Sequence, residues 1–331
     1  MTTPLIAAWG RGAGPLVTAA LLYAGAASAS VLLRLSSKST GRPLTRDALP
    51  RLAVVALFGA ALAPALLVWG LSRAGATASS LALNFEAVFT VLLAAVAHRE
   101  HIGGRVAVAV TVLLAGGILV ALDGARRTDG VQLLGLLAVV GATVCWAMDN
   151  TLSRSLAEHP PSDVVAAKGA FGAAVTLLLA FALGERAPAF GSALLLALLG
   201  ATGYGLSLQL YLLAQRRIGA ARTGSVFSAG PFVGAALAWG LGDRHAGAFT
   251  ALGAALLATG VALHLTERHS HRHQHAAVEH EHAHRHDDGH HDHAHEPPFA
   301  GEHTHRHRHE ATVHEHEHAP DIHHEHDHRR E

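Results

Sequence analysis

Nine stretches of almost purely apolar sequence dictate what this chain can fold into. They lie at about 16–34, 52–71, 77–97, 104–122, 131–152, 164–184, 190–214, 222–241 and 247–265. About 20 residues rising 1.5 Å each cross a hydrocarbon core of ~30 Å. A helix in a water-soluble bundle would be apolar on one face only, whereas these runs are apolar all round. Inside lipid every backbone N–H and C=O must be satisfied, and runs this long do so as helices. The predicted fold class is an all-α membrane protein, a polytopic bundle of nine to ten transmembrane helices.

Bulk averages hide a second region. The chain is 50% apolar and 15% charged, but beyond Glu267 it is almost wholly His, Glu, Asp and Arg. The predicted division is residues 1–123, 124–266 and a tail at 267–331. The zero formal charge therefore says little about partners. One cysteine, Cys145, excludes an intramolecular disulfide and a cysteine-rich metal site. Arg11, the run Pro15–Leu33 and Ala27-Ser28-Ala29 mimic a cleaved signal. The run is too long for a signal core and reads as a retained span.

Basic residues set the orientation. Arg34, Lys38, Arg42, Arg46, Arg51, Arg99, Arg105, Arg154, Arg216, Arg217 and Arg222 mark alternate connections. Arg73, Arg126, Arg127, Arg186 and Arg244 mark the others. Eleven against five assigns the first set and the tail to the cytoplasm. The expected location is the bacterial inner (plasma) membrane, multi-pass.

The chain also repeats itself. Residues 75–122 resemble 219–265, with Gly75 matching Gly219 and Gly116 matching Gly260. Each unit is a span, a charged break (Arg99-Glu100 or Asp243-Arg244) and a Gly-bearing span. The copies lie five helices apart, and an odd offset turns the second upside down. Inverted repeats of this kind enclose a substrate site between halves in secondary transporters. Gly59, Gly116, Gly117, Gly200, Gly203, Gly205, Gly253 and Gly260 are expected to bring helices close.

Polar groups inside the spans are the candidate site. Glu86 sits near the middle of 76–101, two residues after Asn84. An ionisable group there costs at least ~2.5–3.5 kcal/mol against lipid, so it should face the bundle interior. Glu86 is the proposed proton-coupling carboxyl. Asp149, Asn150 and Lys168 fall at similar depth on either side of one connection, where Asp149 and Lys168 could pair. Tyr204, Gln209, Arg222, Thr223, Ser225 and Ser228 could line a cavity. No nucleophile elbow, phosphate loop or H-E-x-x-H occurs, so the chain is not read as an enzyme.

The segments LNFEAVFT (83–90), CWAMDNTLSR (145–154), Lys168-Gly169 and ARTGSVFSAGPFVG (221–234), with the repeat and the R-E or D-R break, resemble the drug/metabolite transporter superfamily. Within it the chain is similar to EamA-type proteins. The resemblance covers roughly residues 3–265 and implies two inverted five-helix repeats. It begins mid-helix at Thr3-Pro4-Leu5, so a first helix partly or wholly missing is expected, with Met1 a doubtful start. Some proteins of this group carry a similar His-rich tail.

That tail alternates histidine with Glu, Asp, Arg or Ala: His269, His271, His273, His275, His280, His282, His284 and His286, then His290, His291, His293 and His295. It continues through His303, His305, His307, His309, His314, His316, His318, His323, His324, His326 and His328. Almost nothing apolar interrupts it, so it can bury no core and is expected to be disordered. Imidazole with nearby carboxylates suits Zn, Ni, Co or Cu. No cofactor is required by this reading. The expected partners are the lipid bilayer, a small-molecule solute, H+ and divalent metal ions, with a homodimer allowed and no nucleic acid. The expected function is secondary transport of an organic metabolite or drug. A divalent transition-metal permease or exporter, and a non-transporting metal sensor or store, are the alternatives.

Overall fold

A computed structural model of the chain describes residues 2–36, 44, 46–98, 104–125, 130–153, 156, 159–218, 226–243 and 247–265, with the tail backbone at 269–275, 278–284, 303–309 and 312–318. The spans are helices, as their composition requires. A short helix α1 (Thr3–Trp9) precedes α2 (Pro15–Ser36), and α3 runs over Leu49–Ala74. Helix α4 is in two pieces, Ala76–Ala82 and Phe85–His98. Then come α5 (Gly104–Ala125), α6 (Val131–Ser153) and α7 (Pro161–Ala182). Helix α8 comprises Phe190–Gly200, Ala201–Leu206 and Ser207–Ile218. Helices α9 (Val226–Gly240) and α10 (Ala248–Leu265) complete the bundle.

Eight of these are long and apolar enough to span a bilayer, with mean hydropathy between 1.5 and 2.4. Their outward faces are greasy: Phe181 is 87% exposed, Phe190 85% and Val96 81%. In water such a surface would aggregate, whereas in lipid it costs nothing. Helix α1 covers seven residues and buries Ile6 among Leu22, Ala60 and Leu71.

Contacts follow a two-fold plan. Helices α2 and α7, α4 and α9, and α5 and α10 pack as pairs five places apart in the chain. The packing of α3 on α7 is matched by that of α8 on α2, and α4 on α6 by α9 on α1. This is the pairing that two inverted five-helix units produce around one axis. Small residues allow the approach: a Cβ on Gly205 would lie 2.9 Å from the Ala26 carbonyl oxygen, and one on Gly116 would lie 2.9 Å from that of Gly253.

Carboxylates clasp the halves at one end of the bundle. Glu185, after α7, accepts hydrogen bonds from the Leu16 and Val17 amides at the start of α2 (2.9 and 3.0 Å). Asp243, after α9, accepts one from the Thr77 amide at the start of α4 (2.7 Å). Asp123, in the last turn of α5, accepts from the Gly247 amide and the Thr250 hydroxyl at the start of α10 (both 2.6 Å). Free N–H groups and the helix dipole make such N-termini natural carboxylate partners.

Four segments of the tail backbone are extended and pair. β1 (His269–His275) pairs antiparallel with β4 (Thr312–His318), and β2 (Val278–His284) with β3 (His303–His309). An alternation of period two matches the strand repeat, so such a sequence can pair without any core. The register sets His271 opposite His316 and His282 opposite His305. The tail side chains lie outside the described residues.

Candidate functional site

The site begins at the break in α4. The apolar run gives no sign of it, yet regular helix stops at Ala82 and resumes at Phe85. Between them the bonds tighten to three-residue spacing: the Leu83 amide to the Ser80 carbonyl (3.3 Å), Asn84 to Leu81 (3.2 Å) and Glu86 to Leu83 (3.1 Å). The Asn84 side-chain amide also donates to the Leu81 carbonyl (2.9 Å). Short polar side chains compete with helical bonding in this way. Asn84 therefore shapes its own turn, two residues before Glu86.

Glu86 is the second residue of the resumed helix, and its carboxylate reaches α6. Its Oε1 accepts a hydrogen bond from Asn150 Nδ2 at 2.9 Å. Asp149, next in the chain, turns to α7 and pairs with Lys168, whose Nζ donates to Asp149 Oδ2. The two side chains are 6% and 14% exposed, so each charge has the other as its main compensation. Ser153 Oγ adds a bond to Asp149 Oδ1 (3.3 Å). Asp149 and Lys168 both act electrostatically on Glu86.

The Asp149 carboxylate is seated against Gly59 of α3, where a side chain would collide with it. Gly59 lies in a π-helical turn, Leu57–Leu62. Its carbonyl oxygen accepts from Tyr23 OH (2.6 Å) and from Trp146 Nε1 (3.1 Å). Tyr23 in turn faces Tyr204, with ring centroids 5.4 Å apart. Tyr204 sits in a second π turn, Ala201–Leu206, and its side chain shares a hydrogen bond with Thr2. Tyr23, Ala26, Val165, Lys168, Tyr204 and Leu208 line a small cavity of about 40 Å³. Two phenols and the Asp149-paired ammonium of Lys168 are the polar groups on its otherwise apolar walls.

The structure thus brings Glu86, Asn150, Asp149, Lys168 and Tyr204 into one neighbourhood. Gln209 lies one turn beyond the second π turn, with Nε2 buried and without a hydrogen-bond partner. Ser228 stands in the first turn of α9, while Arg222, Thr223 and Ser225 lie outside the described residues. The tail histidines have no described side chains, and among the described residues no cluster of His, Cys, Asp and Glu could hold a metal.

Sequence reasoning missed Tyr23, Trp146 and Gly59 as members of the site. Trp146 stands three residues before Asp149, on the same helical face, and that spacing was the available signal. A hydroxyl in the middle of an apolar run pointed to Tyr23 in the same way. Gly59 was read as a packing residue only.

Known proteins share this organisation. The family model described as the EamA-like transporter family matches twice, at residues 2–122 and 133–266. An uncharacterized transporter from Methanothermobacter thermautotrophicus is 28% identical over 192 residues, covering 57% of this chain and 56% of its own. The chain therefore spans little more than half of that relative. A crystal structure of a protein with 20% identity superposes with a TM-score of 0.58, covering 79% of this chain and 92% of the other. At that identity it speaks for the fold alone. Two matches that account for nearly all of both helical halves, on a bundle of paired spans around a polar centre, mean that this chain belongs to the EamA-like transporter family.

Proposed function

We propose that the chain moves a small organic solute across a bilayer by alternating access, with Glu86 as the group that couples this movement to protons. One observation carries the reading: Glu86 is held by Asn150 at a helix break, beside the Asp149–Lys168 pair. Broken helices at mid-membrane are where carriers build their sites. Asn150 donates equally to a carboxylate or to the carbonyl of a protonated carboxyl, so it can keep Glu86 in place through a proton cycle. Tyr23, Tyr204 and Lys168 are the solute contacts in this scheme. The membrane is the bacterial inner membrane, with the tail in the cytoplasm, on the arginine asymmetry.

The test is a panel of radiolabelled amino acids, sugars, nucleosides and divalent metals offered to vesicles with an imposed pH gradient. Wild type should accumulate at least one organic solute, and Glu86→Gln should lose gradient-driven accumulation at normal abundance. Full gradient-driven transport by Glu86→Gln would refute the coupling role.

A second reading concerns the tail, where histidines stand opposite histidines in register. We propose that it binds Zn, Ni, Co or Cu and adjusts transport rather than supplying its cargo. Removing residues 269–331 should then leave basal transport intact and abolish its response to metal. A metal permease would instead accumulate metal in the vesicle panel, and a sensor or store would transport nothing there.

A further inference from the structure

Two spanning helices carry a π turn, and the turns occupy the same place in the two repeats. The spacing that carries Gly75 to Gly219 and Gly116 to Gly260 also carries Leu57 to Ala201 and Leu62 to Leu206. The turns are therefore equal in length and in register, with Gly59 matching Gly203. Apart from that glycine and the closing Leu62 and Leu206, their sequences, LFGAAL and ATGYGL, are unlike. A π turn accommodates one residue more than regular α-helix and is less favourable, so it persists where it has a use. A packing accident has no reason to recur at one register in two copies that point opposite ways.

Both turns meet at Tyr23. Its hydroxyl holds the Gly59 carbonyl of the first turn, together with Trp146 Nε1 from α6. Its ring packs on Tyr204 within the second turn. The cavity wall includes Tyr23 and Tyr204, so bending at either turn moves that wall. We propose that the turns Leu57–Leu62 and Ala201–Leu206 are a matched pair of hinges for α3 and α8, and that the bonds of Tyr23 and Trp146 to the Gly59 carbonyl are the catch that fixes the present bend. Hinges of this type concentrate a large motion in a few residues. The inference rests on alternating access but is independent of Glu86.

The experiment needs no knowledge of the solute. A single cysteine at the part-buried cavity wall, Leu208→Cys in a Cys145→Ala background, is exposed in oriented vesicles to a membrane-impermeant maleimide from either side. With both hinges intact it should label from both sides. Deleting Ala61 restores regular α-helical bonding while keeping the helix faces on either side of the turn. That variant should label from one side only. A monodisperse deletion variant that labels from both sides at the undeleted rate overturns the hinge. Labelling from only one side in the undeleted background overturns alternating access itself, and the hinge with it. Should the deletion prevent folding, Tyr23→Phe with Trp146→Phe releases the catch and should raise labelling from the less reactive side about tenfold. An unchanged rate there also overturns the proposal.

Discussion

The carboxylate of Asp149 occupies the space that a side chain on Gly59 would fill. An ion-paired acid on α6 is thus seated on bare backbone of α3. Gly59→Ala should force Asp149 off that seat at a cost of about 1–3 kcal/mol. The control is Gly141→Ala, where the new methyl would meet only Leu66 Cδ1 at 3.6 Å. Thermal melting in detergent should show a clear loss for the first and almost none for the second.

Lys168 and Asp149 compensate each other in a poorly hydrated place. Removing either alone should destabilise by roughly 3–5 kcal/mol, because one buried charge is left unpaired. Lys168→Met combined with Asp149→Leu should recover much of that loss. A double-mutant cycle on melting temperatures tests this, and simple additivity would contradict the pairing energy.

Glu185 caps α2 from a connection on the far half of the chain. Glu185→Ala should cost about 0.5–2 kcal/mol, as the loss of an N-cap does. Glu185→Gln keeps an acceptor oxygen and should fall in between. Hydrogen exchange at the Leu16 and Val17 amides should rise in the same order.

Gly253 approaches α5 so closely that an added Cβ would lie 2.6 Å from the Gly116 carbonyl oxygen. Gly253→Val should push α10 away from α5 and lower stability by about 1–3 kcal/mol. Limited proteolysis should then release α10 sooner than in the parent, whereas Gly240→Val, with open space around it, should behave as wild type.

Most of the bundle was readable from hydropathy because lipid leaves a long apolar segment one option, a helix. The repeat was readable because Gly75, Gly116 and their partners keep a fixed spacing. Glu86 declared itself by its cost, and Lys168 and Asp149 by their equal depth. The break at Leu83–Asn84 and the two π turns were not readable, since hydropathy does not register which carbonyl an amide chooses. Tyr23 and Trp146 were hidden for a related reason. Each matters through the Gly59 carbonyl, a backbone atom that no residue pattern announces.

The three carboxylate clasps have a consequence for how the molecule is held together. Glu185 and Asp243 reach from the second half into the first, and Asp123 reaches from the first into the second. Paired helices α2 with α7 and α5 with α10 bridge the same divide. The covalent connection after Ala125 is then redundant for assembly. Two separate polypeptides, severed there and made side by side in one cell, should recognise each other and co-purify as one intact bundle.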